Sequence, residues 1–324
     1  MKGAWALMAL IALTGAAQPP TALLTQPNAA PPAQPQWMLA WSDEFDGTRI
    51  DPAKWGLEDD CWGGGNDERQ CYTKSRSNAQ VEGGLLVITA RRQHATGPAL
   101  PKAQRALASN PEATATREFT SAKLMTRGKA AWRYGRIEVR ARLPQGQGTW
   151  PAIWMLPEHD KYGRWAASGE IDILEAVNLG VSCAACAGGH EDTILGTIHF
   201  GKVWPGNTFA STEIHEPAVL SGFHTFAVEW EPAKITWLVD GRVYAVRHAN
   251  EWFTGGSQVP GAPFDQPFHL IINLAIGGKL AEGRGMGGVQ DRDFPKRFEI
   301  DWVRVWRELD NVPISQPRVS GVKG

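Results

Sequence analysis

Short alternations of apolar and polar residues, broken by glycine, proline and asparagine, recur from residue 37 to residue 308 of this chain. Ile137, Val139, Ala141 and Leu143 interleave with Glu138, Arg140 and Arg142, which is the period of a strand with one buried and one wet face. Phe223 to Trp230 and Ile235 to Val239 read as two further strands, and Asp240-Gly241 turns the second tightly into Val243 to Val246. Leu85 to Ala90 is a short, wholly apolar strand after the turn at Gly83-Gly84, and Phe298 to Trp306 ends the series. The pattern predicts an all-β fold. Residues 91–118 carry Pro and Ala with little periodicity and read as an unusually long loop. No internal repeat is visible.

The ends read differently. Lys2, the apolar run Ala4 to Thr14 and the small residues Gly15-Ala16-Ala17 predict a signal peptide over 1–17, too short to span a bilayer. That implies a secreted or periplasmic protein with no membrane partner after cleavage. Residues 18–36 are rich in Pro, Ala and Gln and predict a linker, residues 37–308 the folded domain, and residues 309–324 a disordered tail.

The chain has 324 residues, which suits one large all-β domain. A net charge of -1 with no basic stripe argues against nucleic acid as a partner. Fifteen tryptophans are the compositional oddity; most are expected in the core, some with a flat face free for a sugar ring. The four cysteines allow three disulfide pairings. Cys61–Cys71 and Cys183–Cys186 are favoured because each pair lies in one Gly-rich loop. A zinc site at Cys183 and Cys186, with His190 or His199, is the rival reading.

Chemistry concentrates in Gly169-Glu170-Ile171-Asp172-Ile173-Leu174-Glu175-Ala176-Val177. Acids among β-branched residues are costly to bury unless they are paired or used. In a strand Glu170 and Asp172 share a face, and Glu175 is out of phase by one residue. One β-bulge between Asp172 and Glu175 would aim all three into a single cleft, whereas a helix would scatter them. Two carboxyl groups facing one sugar are the equipment of a glycosidase. The alternative is a strand with solvated acids.

The Glu-x-Asp-x-x-Glu stretch resembles the catalytic strand of glycoside hydrolase family 16, the laminarinase-like group. Further motifs follow in order: Leu39 to Gly47, Trp62 to Thr73, Trp150-Pro151-Ala152-Ile153-Trp154, Thr197-Ile198-His199-Phe200-Gly201 and Phe264 to Gly278. The resemblance implies a β-jelly-roll sandwich, concanavalin-like, with a concave sheet forming the cleft. It implies retention by double displacement, with Glu170 as nucleophile, Glu175 as acid/base and Asp172 between them, the carboxyls about 5–5.5 Å apart. It places Asn66, Trp150, Trp154, Trp165, His199 and Asn273 as substrate contacts. Core packing is the alternative for the tryptophans, a structural imidazole for His199 and a buried amide for Asn273. Residues 91–118 become an insertion near the cleft, and the loop at 181–191 fits the family poorly.

The chemistry requires no cofactor, but the resemblance implies a structural calcium held by Asp301 with backbone oxygens of Glu44 and Gly83. The implied protein is a monomer acting on polysaccharide. Its substrate is β-1,3-glucan of the laminarin type, with mixed-linkage β-1,3-1,4-glucan as an extension. Hydrolysis of a galactan (agarose, carrageenan or porphyran), transglycosylation, and glucan binding without cleavage are the alternatives.

Overall fold

The computed structural model describes residues 36–309. The segments predicted as signal peptide and, apart from Gln36, as linker, and the residues beyond Leu309, lie outside the described residues. The chain forms β1 (Trp37–Asp43), β2 (Gly56–Leu57), β3 (Gln70–Tyr72), β4 (Ala79–Glu82) and β5 (Leu85–Pro98). A single-turn helix α1 (Lys102–Arg105) leads to β6 (Thr114–Ser121), β7 (Lys123–Met125), β8 (Gly135–Arg142), β9 (Thr149–Pro157) and β10 (Glu170–Ala176). Then come β11 (Thr193–Gly201), β12 (Asn207–His215), β13 (His224–Glu231), β14 (Lys234–Val239), β15 (Arg242–His248) and β16 (Phe268–Ile276). Helix α2 (Gly278–Gly283) and β17 (Lys296–Glu308) end the domain.

Two sheets face each other. One runs β15-β14-β13-β8-β17-β5-β6-β3, with β1 on β17 and β4 on β5; the other runs β12-β11-β10-β9-β16-β7-β2. The expected all-β sandwich is present. Ile137, Val139 and Ala141 of β8, with Leu143 just past its end, join Phe298, Ile300, Val303 and Val305 of β17 in the core between the sheets. From the other side come Ile171 and Leu174 of β10 and Phe268, Leu270, Ile272 and Leu274 of β16. The intervening charges of β8 turn outward and pair along the large sheet: Arg136 with Glu138 and Glu229, Arg140 with Asp301, and Arg142 with Glu299.

Residues 91–118 differ from the loop that their sequence predicts. β5 runs on to Pro98, and its outer half pairs with β6 from Arg91↔Thr120 to Pro98↔Thr114. This extension is held by backbone hydrogen bonds, and both of its faces are largely wet, so no apolar period marks it. It packs against the loop closed by the Cys61–Cys71 disulfide, where the Cys61 amide donates to the Pro98 carbonyl at 2.7 Å.

The predicted bulge is present in β10. Asp172 pairs with Thr197 and Glu175 with Leu195, so three steps on β10 oppose two on β11; the register against β9 slips between Asp172 and Leu174. A bulge interrupts the ladder and needs support. Trp237 supplies it from the opposite sheet: its Nε1 crosses the core and donates to the Asp172 carbonyl at 2.8 Å. Gly196 on β11 leaves room for this, since a Cβ there would lie 2.5 Å from the Trp237 ring and 2.6 Å from the Tyr244 hydroxyl.

Trp237→Phe keeps most of the packing but leaves a buried carbonyl without its donor, which costs about 1–3 kcal/mol. Gly196→Ala overpacks the same contact and costs a similar ~1–3 kcal/mol. Thermal unfolding checks both. An unchanged melting temperature in Trp237→Phe would remove this bond from the account of the bulge.

Candidate active site

The bulge puts Glu170, Asp172 and Glu175 on the face of the seven-stranded sheet that points away from the core, and cross-strand register builds the floor around them. One row reads Asn273, Ala152, Glu175, Leu195 and Glu213 across β16, β9, β10, β11 and β12. The next reads Ile271, Trp154, Asp172, Thr197 and Ser211, and a third joins Glu170, His199 and Phe209. All three acids line one cavity, together with Trp62, Asn66, Glu68, Tyr72, Lys123, Trp150, Trp154 and Asn273.

Each glutamate carries its own indole donor. Trp165 Nε1 donates to Glu170 Oε2 at 2.6 Å, and Trp150 Nε1 donates to Glu175 Oε1 at 3.0 Å. Their polar atoms are thus turned to the acids. Trp150 is only 8% exposed and packs with Val177, Ala275 and Ala281 beneath α2, so it offers little free ring face. Trp165 is 38% exposed and retains one.

His199 stands between the other two carboxylates, its Nε2 3.4 Å from Asp172 Oδ2 and 4.0 Å from Glu170 Oε1. Burial would hold the imidazole neutral, but the Asp172 contact and the charges of Glu170, Asp172 and Glu175 outweigh it and lift its pKa to about 9. Burial, reinforced by the charges of Glu170 and Glu175, pushes the Asp172 carboxyl well above the usual range. Burial also raises Glu175, to about 7; the His199 charge and the Trp150 bond pull the other way, while Glu170 and Glu68 add to the rise. Glu175 therefore remains protonated in a large fraction of molecules near neutrality, as a general acid requires. Among the described residues, Glu170, Asp172 and His199 are also the one cluster whose donor atoms lie within 4.8 Å of one another in the manner of a metal site. An imidazolium at His199 opposes a cation there.

Asn66 reaches the cavity on the loop between β2 and β3, and Glu68 pins that loop from inside. Glu68 Oε2 accepts from Gln70 at 2.7 Å and from Tyr72 Oη at 3.2 Å; a Cβ on Gly64, whose φ is +63°, would collide with its carboxylate. Tyr72 Oη accepts from Asn273 Nδ2 at 3.0 Å, and Asn273 Oδ1 accepts from Trp154 Nε1 at 2.7 Å. The Lys123 ammonium lies over both the Tyr72 and the Trp154 rings. Asn273 thus faces the cavity with both ends of its amide already bonded inside the protein. Sequence reasoning singled out Asn66, Asn273 and Trp154 and missed Trp62, Glu68, Tyr72 and Lys123. Three of those four stand in the same Trp62–Thr73 motif, where the polar run that follows its three glycines is the available signal.

Helix α2 flanks the acids along one side. Arg69 clasps Glu282 from the Asn66 loop, and Arg284, just past the helix, holds Glu213 on β12 at 2.9 and 3.0 Å.

The remaining expectations resolve as follows. Cys61–Cys71 and Cys183–Cys186 are both disulfides, so no thiolate is available and the zinc reading is corrected. His190 hydrogen-bonds locally to the Gly188 carbonyl. For calcium, Glu44 follows β1 and Gly83 sits in the β4–β5 turn, while Asp301 lies on β17, which pairs with both β1 and β5. Asp301, the one side-chain ligand of that set, already accepts a hydrogen bond from Arg140, and both Glu44 oxygens accept from Arg304. The Arg140 pair takes Oδ2 and leaves Oδ1 as the oxygen that Asp301 would offer an ion beside the Glu44 and Gly83 carbonyls.

Comparison with known proteins adds to this geometry. The profile of Glycosyl hydrolases family 16 matches residues 67–304. The chain is 43% identical to a beta-glucanase of Rhodothermus marinus over 289 residues, 85% of this chain and 87% of that protein. It is 38% identical to the glucan endo-1,3-beta-glucosidase A1 of Niallia circulans over 282 residues, 83% of this chain but only 38% of that longer protein. Among solved structures, the laminarinase from Rhodothermus marinus superposes with a TM-score of 0.68 at 40% identity, over 86% of this chain and 100% of its own. The sandwich shares the jelly-roll arrangement of that neighbour.

A raised pKa in the folded state means that the native protein binds more protons than the unfolded chain between the two pKa values. Stability therefore falls as pH rises from the ordinary glutamate value of 4.5 to about 7. Glu175→Gln removes this penalty and should melt higher than the parent at pH 8, by on the order of 2 kcal/mol, with little difference at pH 4. Carbon NMR of labelled carboxyls should find Glu175 titrating near 7 and shifting upward in Trp150→Phe, which lacks the donor to the ionised form. A Glu175 that titrates at the ordinary value would refute the assignment of its proton.

Proposed function

The chain belongs to family 16 of the glycosyl hydrolases, and on that premise we propose that it is an endo-acting, retaining hydrolase of β-1,3-glucan. The observation that carries this reading is the β10 bulge, which turns both glutamates into one cavity and gives each its own indole donor. The names of the relatives, a beta-glucanase and a glucan endo-1,3-beta-glucosidase, support glucan as the substrate class.

In the proposed reaction Glu170 attacks the anomeric carbon while Glu175 passes its proton to the departing glycosidic oxygen. The Trp165 indole fixes the attacking carboxylate, and the cationic His199 offsets negative charge between Glu170 and Asp172. Once ionised, Glu175 takes a proton from water, which displaces Glu170 and restores the original anomeric configuration. The Trp150 bond then favours the ionised form, so the same contact serves the second half of the cycle. Asp172 is too buried to meet substrate broadly, at 2% exposure, and acts on its two neighbours. We further infer export, which the predicted signal peptide and two disulfides support.

Release of reducing ends from laminarin, lichenan, agarose and carrageenan in parallel tests the substrate. Laminarin should lead, and activity confined to a galactan would overturn the proposal. Glu175→Gln should lower kcat/KM on laminarin by about 10²–10⁴-fold, and kcat/KM on a nitrophenyl β-laminaribioside far less, since that leaving group needs no proton. Glu170→Gln should abolish both. Near-full activity in either variant would refute its role, and proton NMR of the first product should show the β-anomer.

A further inference from the structure

The two sides of the catalytic row are built differently. Toward β9 and β16 the cavity is deep and its polar groups are engaged: Trp150 is 8% and Asn273 6% exposed, and the indoles and amide are bonded within the protein. Toward β12 the floor is shallow. Phe209 sits on this edge strand directly across from His199, which is itself paired with Glu170, so all three side chains share the catalytic face. The rings of Trp165 and His199 are 5.7 Å apart, and those of His199 and Phe209 are again 5.7 Å apart. Phe209 ends this strip with 63% of its surface exposed, which is a high value for a large apolar side chain on a polar edge strand. Beside it, the hydroxyls of Thr197 and Ser211 are 2.8 Å apart on the same face.

We propose that the β12 edge is a leaving-group-side sugar subsite, with the exposed face of Phe209 as its platform and Ser211 as its hydroxyl partner. The proposal rests on the retaining glucanase reading and deepens it. A retaining enzyme must hold the glycosyl half while the other half leaves and an acceptor arrives. The deep, bonded side suits the first task and the open aromatic strip the second. A saccharide resting on Phe209 is also placed to react in place of water. Its hydroxyl oxygen bonds to the anomeric carbon, the bond from that carbon to the Glu170 carboxylate breaks, and the hydroxyl proton passes to Glu175. Phe209 then sets the balance between transfer and hydrolysis as well as affinity for long chains.

The experiment compares the parent, Phe209→Ala and Phe209→Tyr. The readouts are kcat/KM on laminarin, the ratio of transfer to hydrolysis products from laminari-oligosaccharides, and kcat/KM on nitrophenyl β-laminaribioside. Two strand spacings, about 10 Å, separate β10 from β12, beyond the reach of the single nitrophenyl ring. Phe209→Ala should lower the first two roughly three- to tenfold, the worth of one aromatic platform, and leave the third unchanged. Phe209→Tyr should restore the first two. An equal fall on the short and the long substrate, or no change in Phe209→Ala of an enzyme that cleaves laminarin, would overturn the subsite alone. A parent protein that is inactive on laminarin would overturn the glucanase reading and the subsite with it.

Discussion

The rest of the site depends on one hydrogen bond that crosses the sandwich. The inserted residue in β10 brings Glu175 into phase with Glu170 and Asp172, and Trp237 ties the bulge to the facing sheet through the Asp172 carbonyl. The two sheets are thus coupled at the point where the active face is irregular. Gly196 completes the arrangement by leaving out a side chain where the indole must pass. A feature that reads as a local deformation of one strand is in fact a contact between layers of the whole fold.

Above that bulge, burial sets the distribution of protons. Three carboxyls so close in a partly dry cavity cannot all ionise cheaply. The protein responds with two indole donors, one imidazolium and a raised acid. Glu68 extends this field from the neighbouring loop, since its charge adds to the rise at Glu175 while Gln70 and Tyr72 hold it in place. The Cys61–Cys71 loop and the β5–β6 extension behind it are therefore part of the electrostatics as well as the shape of the cavity.

Much of this was legible in the sequence. Strict alternation in β8 and the phase error between Asp172 and Glu175 identified the all-β fold and the bulge, because both depend on neighbouring positions in one strand. What the sequence hid depends on pairing across long separations. Tyr72 meets Asn273 from 201 residues away, and nothing in either local stretch announces the other. The family resemblance places Trp150 and Trp165 as substrate contacts, and the fold turns their N–H groups onto the two glutamates. The β5–β6 extension escaped because strands that cover no core carry no apolar period. The Arg140 partner of Asp301 escaped because an ion pair between strands leaves no spacing in either one.

Helix α2 has a consequence for how a polymer reaches the acids. Two solvent-accessible ion pairs, Arg69 with Glu282 and, just past the helix, Arg284 with Glu213, tie its upper side to the Asn66 loop and to the edge strand. Such pairs are worth about 0–1 kcal/mol each and weaken as salt rises. The underside of the helix is fixed, because Ala281 packs on Trp150 and its carbonyl accepts from Asn178 at 2.8 Å. A polymer therefore meets a wall that is rigid at its base and responds to salt only at its rim.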